Sequence, residues 1–159
     1  MDRGEQLMDA LWGMHQRRWA LDGAAWKQAS KDLNLTELRC IEYVGGHTNV
    51  NSTRLAEVFF MTTGATSKLT KKLLAKGLLQ RYQRPDNRKA VYFRLTEAGD
   101  QLFSTLSDLR QKLRERDAPV FASMTEEEYH AILGFVQRYD DHLLRLAKRA
   151  KEQAAISSC

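Results

Sequence analysis

Two short runs of this chain hold side chains whose types and spacing could do chemistry. The first begins at Thr62 and reads TTGATSKLTKK. Taken as a helix, it puts Thr63, Ser67 and Lys71 on one face at i, i+4 and i+8, with Gly64, Lys68 and Lys72 beside them. That face is small and polar at its start and cationic further on. Such a helix can sit in a DNA major groove, its first turns near base edges and its lysines near phosphates. A solvated, lysine-rich helix face is the bland reading of the same residues. The second run is Arg84-Pro85-Asp86-Asn87-Arg88-Lys89, turn-forming residues ringed by cations. An arginine projecting from such a turn can enter a narrow minor groove, where negative potential concentrates. The bland alternative is that Asp86 and Asn87 merely form the turn while Arg88 is solvated.

The charge pattern favours the first reading in both places. Between Met61 and Arg94 lie nine basic residues and a single acid, Asp86. The whole chain carries 25 basic and 20 acidic residues, a net charge of +5, so the remainder is net negative. A positive field concentrated on one segment is the footprint of a phosphate-binding surface.

The elements that must position these side chains follow from periodicity. Residues 54–59 read as a short helix with Leu55, Val58 and Phe59 on one side. Met61 and Thr62 form a turn. Thr62 or Thr63 can cap a second helix, which runs to about Lys76 and stops at Gly77, where a left-handed conformation is accessible. Thr66, Leu69 and Leu73 form the face that packs on the first helix. Two β-leaning runs follow, 78–82 and 91–95, with 83–89 as the loop between them. Val91, Phe93 and Leu95 alternate, so that one face of the ribbon anchors on the core and the tip projects.

The run LAEVFFMTTGATSKLTKKLLAKGLLQRYQRPDNRKAVYFRLTEAG resembles the winged-helix core of MarR-type (multiple antibiotic resistance) bacterial transcriptional regulators. The matching pieces are Leu55-Ala56-Glu57, the helix ending at Lys76-Gly77-Leu78, the Asp86-x-Arg88 tip, and Leu95-Thr96-Glu97-Ala98-Gly99 after the second strand. The resemblance implies a homodimer that binds palindromic double-stranded DNA, with release by a small-molecule effector or by thiol oxidation. It assigns Arg88 to the minor groove, with Asp86 holding its guanidinium. The implied DNA-binding set is Thr62, Thr63, Gly64, Ser67, Lys68, Lys71, Lys72, Arg84, Asp86, Arg88 and Lys89.

The flanking segments supply framework. Residues 5–29 read as a long helix in which Leu7, Leu11 and Met14 form one stripe and Met8, Trp12, His15 and Trp19 its neighbour. Trp12, His15 and Trp19 can wall an aromatic ligand pocket; aromatic stripes at this spacing more often fill a core or a dimer interface. Asn34 or Thr36 starts the next helix, with Glu37 placed to reach back to the cap and Gly45-Gly46 ending it. Cys40, beside Ile41 in this helix, reads mainly as a core residue. Its alternatives are a redox sensor or a ligand-facing thiol. Thr96 caps a helix carrying Leu102, Leu106, Leu109 and Leu113, which Pro119 disturbs or ends. Thr125 and Glu128 form a capping box. Ile132, Val136, Tyr139, Leu143 and Leu146 then repeat at seam spacing, and 151–159 is expected to fray.

The expected architecture is mainly α with a small two-stranded β wing, in the order α-α-α-α-β-β-α-α. It forms a single domain over 1–159, with a DNA-binding core at 34–96 and dimerisation helices at 1–33 and 97–151. The two cysteines form no disulfide framework. No apolar run approaches the ~18 residues of a membrane span, and the charged N-terminus is unlike a signal peptide. The expected location is therefore a reducing cytoplasm, without membrane partners. The four histidines lack metal spacing. With no Gly-rich phosphate loop and no nucleophile elbow, neither an enzyme nor a cofactor is expected. The function expected is a sequence-specific, DNA-binding regulator, a repressor in its simplest form, released by a small aromatic ligand or an oxidant. The alternative is a winged-helix protein-interaction module that binds an acidic partner; the small polar residues Thr63 and Ser67 argue against it.

Overall fold

Each helix start is fixed by a side chain that accepts a hydrogen bond from a free backbone N–H. A computed structural model describes residues 2–156 and places six helices and three strands among them. Asp2 caps α1 (Arg3–Ala29) and Asn34 caps α2 (Leu35–Gly46), each in a reciprocal box with a glutamate three residues on. Strand β1 (Val50–Asn51) leads into α3 (Ser52–Val58), where Asn51 accepts from Arg54 N–H at 2.8 Å. Thr62, and not Thr63, caps α4 (Thr63–Ala75), accepting from Ala65 N–H at 3.2 Å. Strands β2 (Leu79–Arg84) and β3 (Asn87–Leu95) follow. Thr96 caps α5 (Glu97–Ala122) by accepting from Gly99 N–H at 3.1 Å. Thr125 and Glu128 box the start of α6 (Glu126–Ile156).

The chain divides into two compact units, Met1–Arg114 and Glu115–Cys159. The first holds one core in which Ile41, Leu55, Leu73 and Leu106 are fully buried, joined by Leu38, Val44, Leu69 and Phe93. These residues come from α2, α3, α4, β3 and α5, so the helix-turn-helix is built into the core. As expected, Thr66, Leu69 and Leu73 form the inner face of α4. Thr70 joins them; its hydroxyl is satisfied by the Thr66 carbonyl at 3.1 Å. Gly77 closes α4 at φ +68, and Thr96 donates its hydroxyl hydrogen to the Gly77 carbonyl at 2.5 Å. A Cβ on Gly99 would lie 2.2 Å from the Leu78 carbonyl oxygen, so that contact between α5 and the start of the ribbon requires glycine.

Several sequence expectations are corrected. The sheet has three strands in the order β1-β3-β2, because Val50 and Asn51 pair antiparallel with Phe93 and Tyr92. Two residues are too few to show a strand period. The wing strands run further than 78–82 and 91–95, and the tip shrinks to Pro85-Asp86. Phe93 and Leu95 face the core as expected, but Val91 is exposed and Tyr92 is buried. Strand β1 stops opposite Tyr92, so nothing extends the core out to Val91, while the Tyr82 ring covers Tyr92 at 5.5 Å. Helix α5 continues past Pro119 to Ala122; the proline removes one backbone bond, and only three residues of helix lie beyond it. Helix α6 persists to Ile156, beyond the start of the expected frayed tail; residues 157–159 of that tail lie outside the described residues. Helix α1 contains no buried residue. Along α6, Ile132, Val136, Leu143 and Leu146 stand 44–52% exposed. Among the described residues no helix is long and apolar enough to cross a membrane.

Glu37 ties the first unit together and does more than close a cap. Its side chain is buried. One carboxylate oxygen accepts from Asn34 N–H at 3.0 Å and from Lys76 Nζ at 3.3 Å. The other is paired with Lys72 at 3.5 Å. Lys76 also donates to the Asp32 carbonyl at 2.5 Å. Burial pushes the Glu37 carboxyl up, but the Asn34 N–H and the two ammonium groups outweigh it and hold the group below its ordinary value of 4.5. A depressed carboxylate stabilises the fold fully above that ordinary value and loses its contribution as pH falls through the lower native one. Glu37→Gln should therefore cost roughly 1–3 kcal/mol at neutral pH. In urea titrations the gap between variant and parent should narrow as pH drops below the carboxylate range; a gap independent of pH would show that the ion pairs contribute nothing.

Candidate nucleic-acid interface

With Thr66, Leu69, Thr70 and Leu73 turned into the core, the helical period leaves Thr63, Gly64, Lys68 and Lys71 exposed on α4, with Ser67 half-buried at the boundary. No acid lies within α4. Lys72 is exposed but leans on Glu37, so it is shared between the outer face and the core anchor. Lys68 and Lys71 therefore hold the least committed charges of the helix. The N-terminal turn of α4, with Thr62 as its cap, presents the small residues Thr63 and Gly64 at the positive end of the helix dipole.

The wing departs from the expected pairing. Asp86 holds Arg84, not Arg88, through two hydrogen bonds, Nε to Oδ1 at 2.9 Å and Nη2 to Oδ2 at 2.5 Å. The two-residue turn sets this choice, since it folds Arg84 and Asp86 across the same tip. The Arg84 guanidinium also lies 5.8 Å from the centre of the Tyr92 ring. Arg88 and Lys89 are exposed on β3, and the Gln83 side chain donates to the Arg88 carbonyl at 2.8 Å, pinning the backbone beneath them. Asp86 thus neutralises one of the cations at the tip and leaves Arg88 and Lys89 extended.

A second feature lies between α1 and α2. A cavity of about 300 Å³ is lined by His15, Trp19, Trp26, Arg39 and Glu42, among others. Two of the sequence-derived ligand candidates, His15 and Trp19, belong to its lining. Trp12 stands outside it, exposed and 6.1 Å from His15. Cys40 is fully buried in the core, on the other side of α2. The residues that the sequence reading missed are Trp26, Arg39 and Glu42. The α2 period could have revealed the last two, since both lie off the Leu38-Ile41-Val44 face. Burial pushes the Glu42 carboxyl up, and its ion pair with Arg110 of α5 offsets only part of that. Arg39 lies 5.3 Å from the centre of the Phe59 ring, at the end of α3. The cavity wall is thereby in contact with the helix-turn-helix. His47 stacks on Tyr43 at 4.1 Å and donates to the Tyr43 carbonyl at 2.8 Å, as an end-piece of α2. Among the described residues no cluster of three or more His, Cys, Asp or Glu side chains could hold a metal ion.

Residues 33–91, which run from the start of the core through the wing tip, match the MarR family model. In that segment the chain is similar to the MarR family. It is 39% identical over 100 residues to the uncharacterised HTH-type transcriptional regulator YhjH of Bacillus subtilis (strain 168), covering 63% of this chain and 57% of that one. It is 30% identical over 109 residues to the HTH-type transcriptional regulator PchR of the same organism, covering 66% and 62%. The match thus spans less than two thirds of either relative's length. The fold is shared with solved structures. Streptococcus pneumoniae FabT in complex with DNA superposes with a TM-score of 0.75 at 17% identity, over 89% of this chain and 98% of that one. Staphylococcus aureus MarR in complex with salicylate and kanamycin gives 0.70 at 11% identity, over 89% and 93%.

The chain keeps its one described cysteine out of reach. Burial pushes the Cys40 thiol up to about 12, so the reactive thiolate is scarce at neutral pH. A disulfide-exchange reagent should leave Cys40 unmodified in the native protein and label it only upon unfolding, with Cys159→Ser used to isolate the signal. Fast labelling of the native variant would reinstate the redox-sensor reading.

Proposed function

We propose that this chain is a DNA-binding transcriptional regulator that acts as a homodimer on palindromic sites, a repressor in the simplest case. The observation that carries the reading is the outer face of α4. A small, polar, acid-free first turn and two uncommitted lysines are held on a rigid core, beside a wing that extends Arg88 and Lys89. On this reading α4 enters the major groove with Thr63, Gly64 and Ser67 near base edges and Lys68, Lys71 and Lys72 near phosphates. Arg88 enters the adjacent minor groove, and Arg84, clamped by Asp86, stiffens the tip. The apolar faces left exposed on α1 and α6 support dimerisation through segments 1–33 and 97–151. That YhjH and PchR are HTH-type transcriptional regulators, and that FabT was solved in complex with DNA, supports this reading.

A small aromatic effector fits the cavity between α1 and α2, whose volume lies at the lower end of the roughly 300–1,000 Å³ usual for small-molecule sites. Trp19 and Trp26 offer ring faces, and Arg39 offers a cation that also touches Phe59. An occupant that draws on Arg39 would therefore bias the position of α3. An oxidant acting at Cys40 is the weaker route, given its burial.

Two measurements test the reading. Lys71→Ala should weaken binding to all duplexes alike and reduce the salt slope by about one, whereas Ser67→Ala should change sequence preference; Arg88→Ala should lose about 1–3 kcal/mol of specific affinity. Unchanged binding in all three variants would remove the interface from α4 and the wing. Light scattering at micromolar concentration should give twice the 18.3 kDa chain mass; a monomer would contradict the dimer.

A further inference from the structure

Helices α3 and α4 end in the same backbone closure with different residues at its demanding position. At the end of α4, Leu78 N–H bonds the Leu73 carbonyl and Gly77 N–H bonds the Leu74 carbonyl, each at 3.0 Å, with Gly77 at φ +68. At the end of α3, Met61 N–H bonds the Ala56 carbonyl at 3.0 Å and Phe60 N–H bonds the Glu57 carbonyl at 3.3 Å, with Phe60 at φ +52. This paired closure favours glycine, because a Cβ crowds the left-handed backbone. Asn49, the other non-glycine residue at positive φ among those described, belongs to a type that tolerates the conformation. Phenylalanine does not, and strain of this kind collects at functional positions.

Among the described residues no core contact of Phe60 offsets the strain. Phe59 and Met61, on either side, pack against the core, whereas Phe60 does not and is 66% exposed. Phe60 lies two residues before the Thr62 cap of α4, where the chain enters the polar first turn of that helix. An apolar group at the edge of a basic, polar face calls for an apolar patch on a polyanion. The 5-methyl group of thymine in the major groove is such a patch, and it carries sequence information.

We propose that Phe60 is a specificity-determining residue whose ring packs on a thymine methyl group at the edge of the groove that α4 enters. The inference rests on the DNA-binding reading above. The test uses the full chain and a duplex selected by the parent protein, with each thymine replaced in turn by deoxyuridine, which lacks the methyl. Parent binding should fall about fourfold to tenfold at one position. Phe60→Gly should bind the unmodified duplex more weakly by the same factor and be indifferent to deoxyuridine there. Its melting temperature should equal or exceed the parent's, because glycine relieves the backbone; Phe60→Asn gives a second, αL-tolerant substitution. The salt slope should stay unchanged, since no phosphate contact is lost. The proposal is overturned if Phe60→Gly binds as the parent does, or if both proteins lose equally on methyl removal. It is also overturned if the variant's defect is a change in oligomeric mass, which would make Phe60 an interface residue. If the parent selects no duplex at all, the DNA-binding reading fails first, and the proposal fails with it.

Discussion

A buried carboxylate, Glu37, is the point on which the first unit depends. A charge in that position is tolerable only if it is paired. It is met from three directions: the Asn34 N–H at the cap of α2, Lys76 at the end of α4, and Lys72 one turn earlier. The arrangement sets where α2 begins and where α4 ends. Because the partners lie 35 and 39 residues away in sequence, it ties the framework to the placement of α4. Removing either lysine would leave a buried charge short of a partner, so Lys72 belongs to the core anchor as well as to the outer face of α4.

The other side of α4 depends on that anchoring. A helix held at its C-terminal end by ion pairs and along its inner face by Leu69 and Leu73 has few rotational choices. Thr66 and Thr70 add polar groups to that inner face, but each hydroxyl returns its hydrogen to a carbonyl one turn earlier, Thr62 and Thr66 respectively. The inner face is thus polar by composition and satisfied by geometry. Among the described residues the outer face carries no such internal bonds for Lys68 or Lys71, and its charges remain available. On the wing the same division recurs: Asp86 binds Arg84, and the neighbouring Arg88 and Lys89 stay extended.

Much of this was legible in the sequence because local rules governed it. Asn34, Thr62, Thr96 and Thr125 cap where their side-chain chemistry says they should, and Gly77 ends α4 in the left-handed conformation. The inward face of α4 followed from helical period alone. What was hidden depended on partners far away in sequence or on lengths too short to carry a period. Strand β1 is two residues long. The double role of Lys72 and Lys76 needed the fold to bring α2 beside α4. The Asp86 partner was assigned by family pattern to Arg88, and the tightness of the turn decided for Arg84 instead. The α1–α2 cavity was half visible: the aromatic stripe gave His15 and Trp19, while Arg39 and Glu42 came from a different helix.

The central claim is that α4 and the wing read DNA as a symmetric pair. Its most direct test is selection of bound fragments from a random duplex library at physiological salt with excess competitor. The account predicts an enriched inverted repeat whose half-sites lie about one helical turn, roughly 10 base pairs, apart, with A·T-rich steps where the two wings reach the minor groove. Retention of fragments without any common sequence, or enrichment of a single unrepeated site, would contradict it.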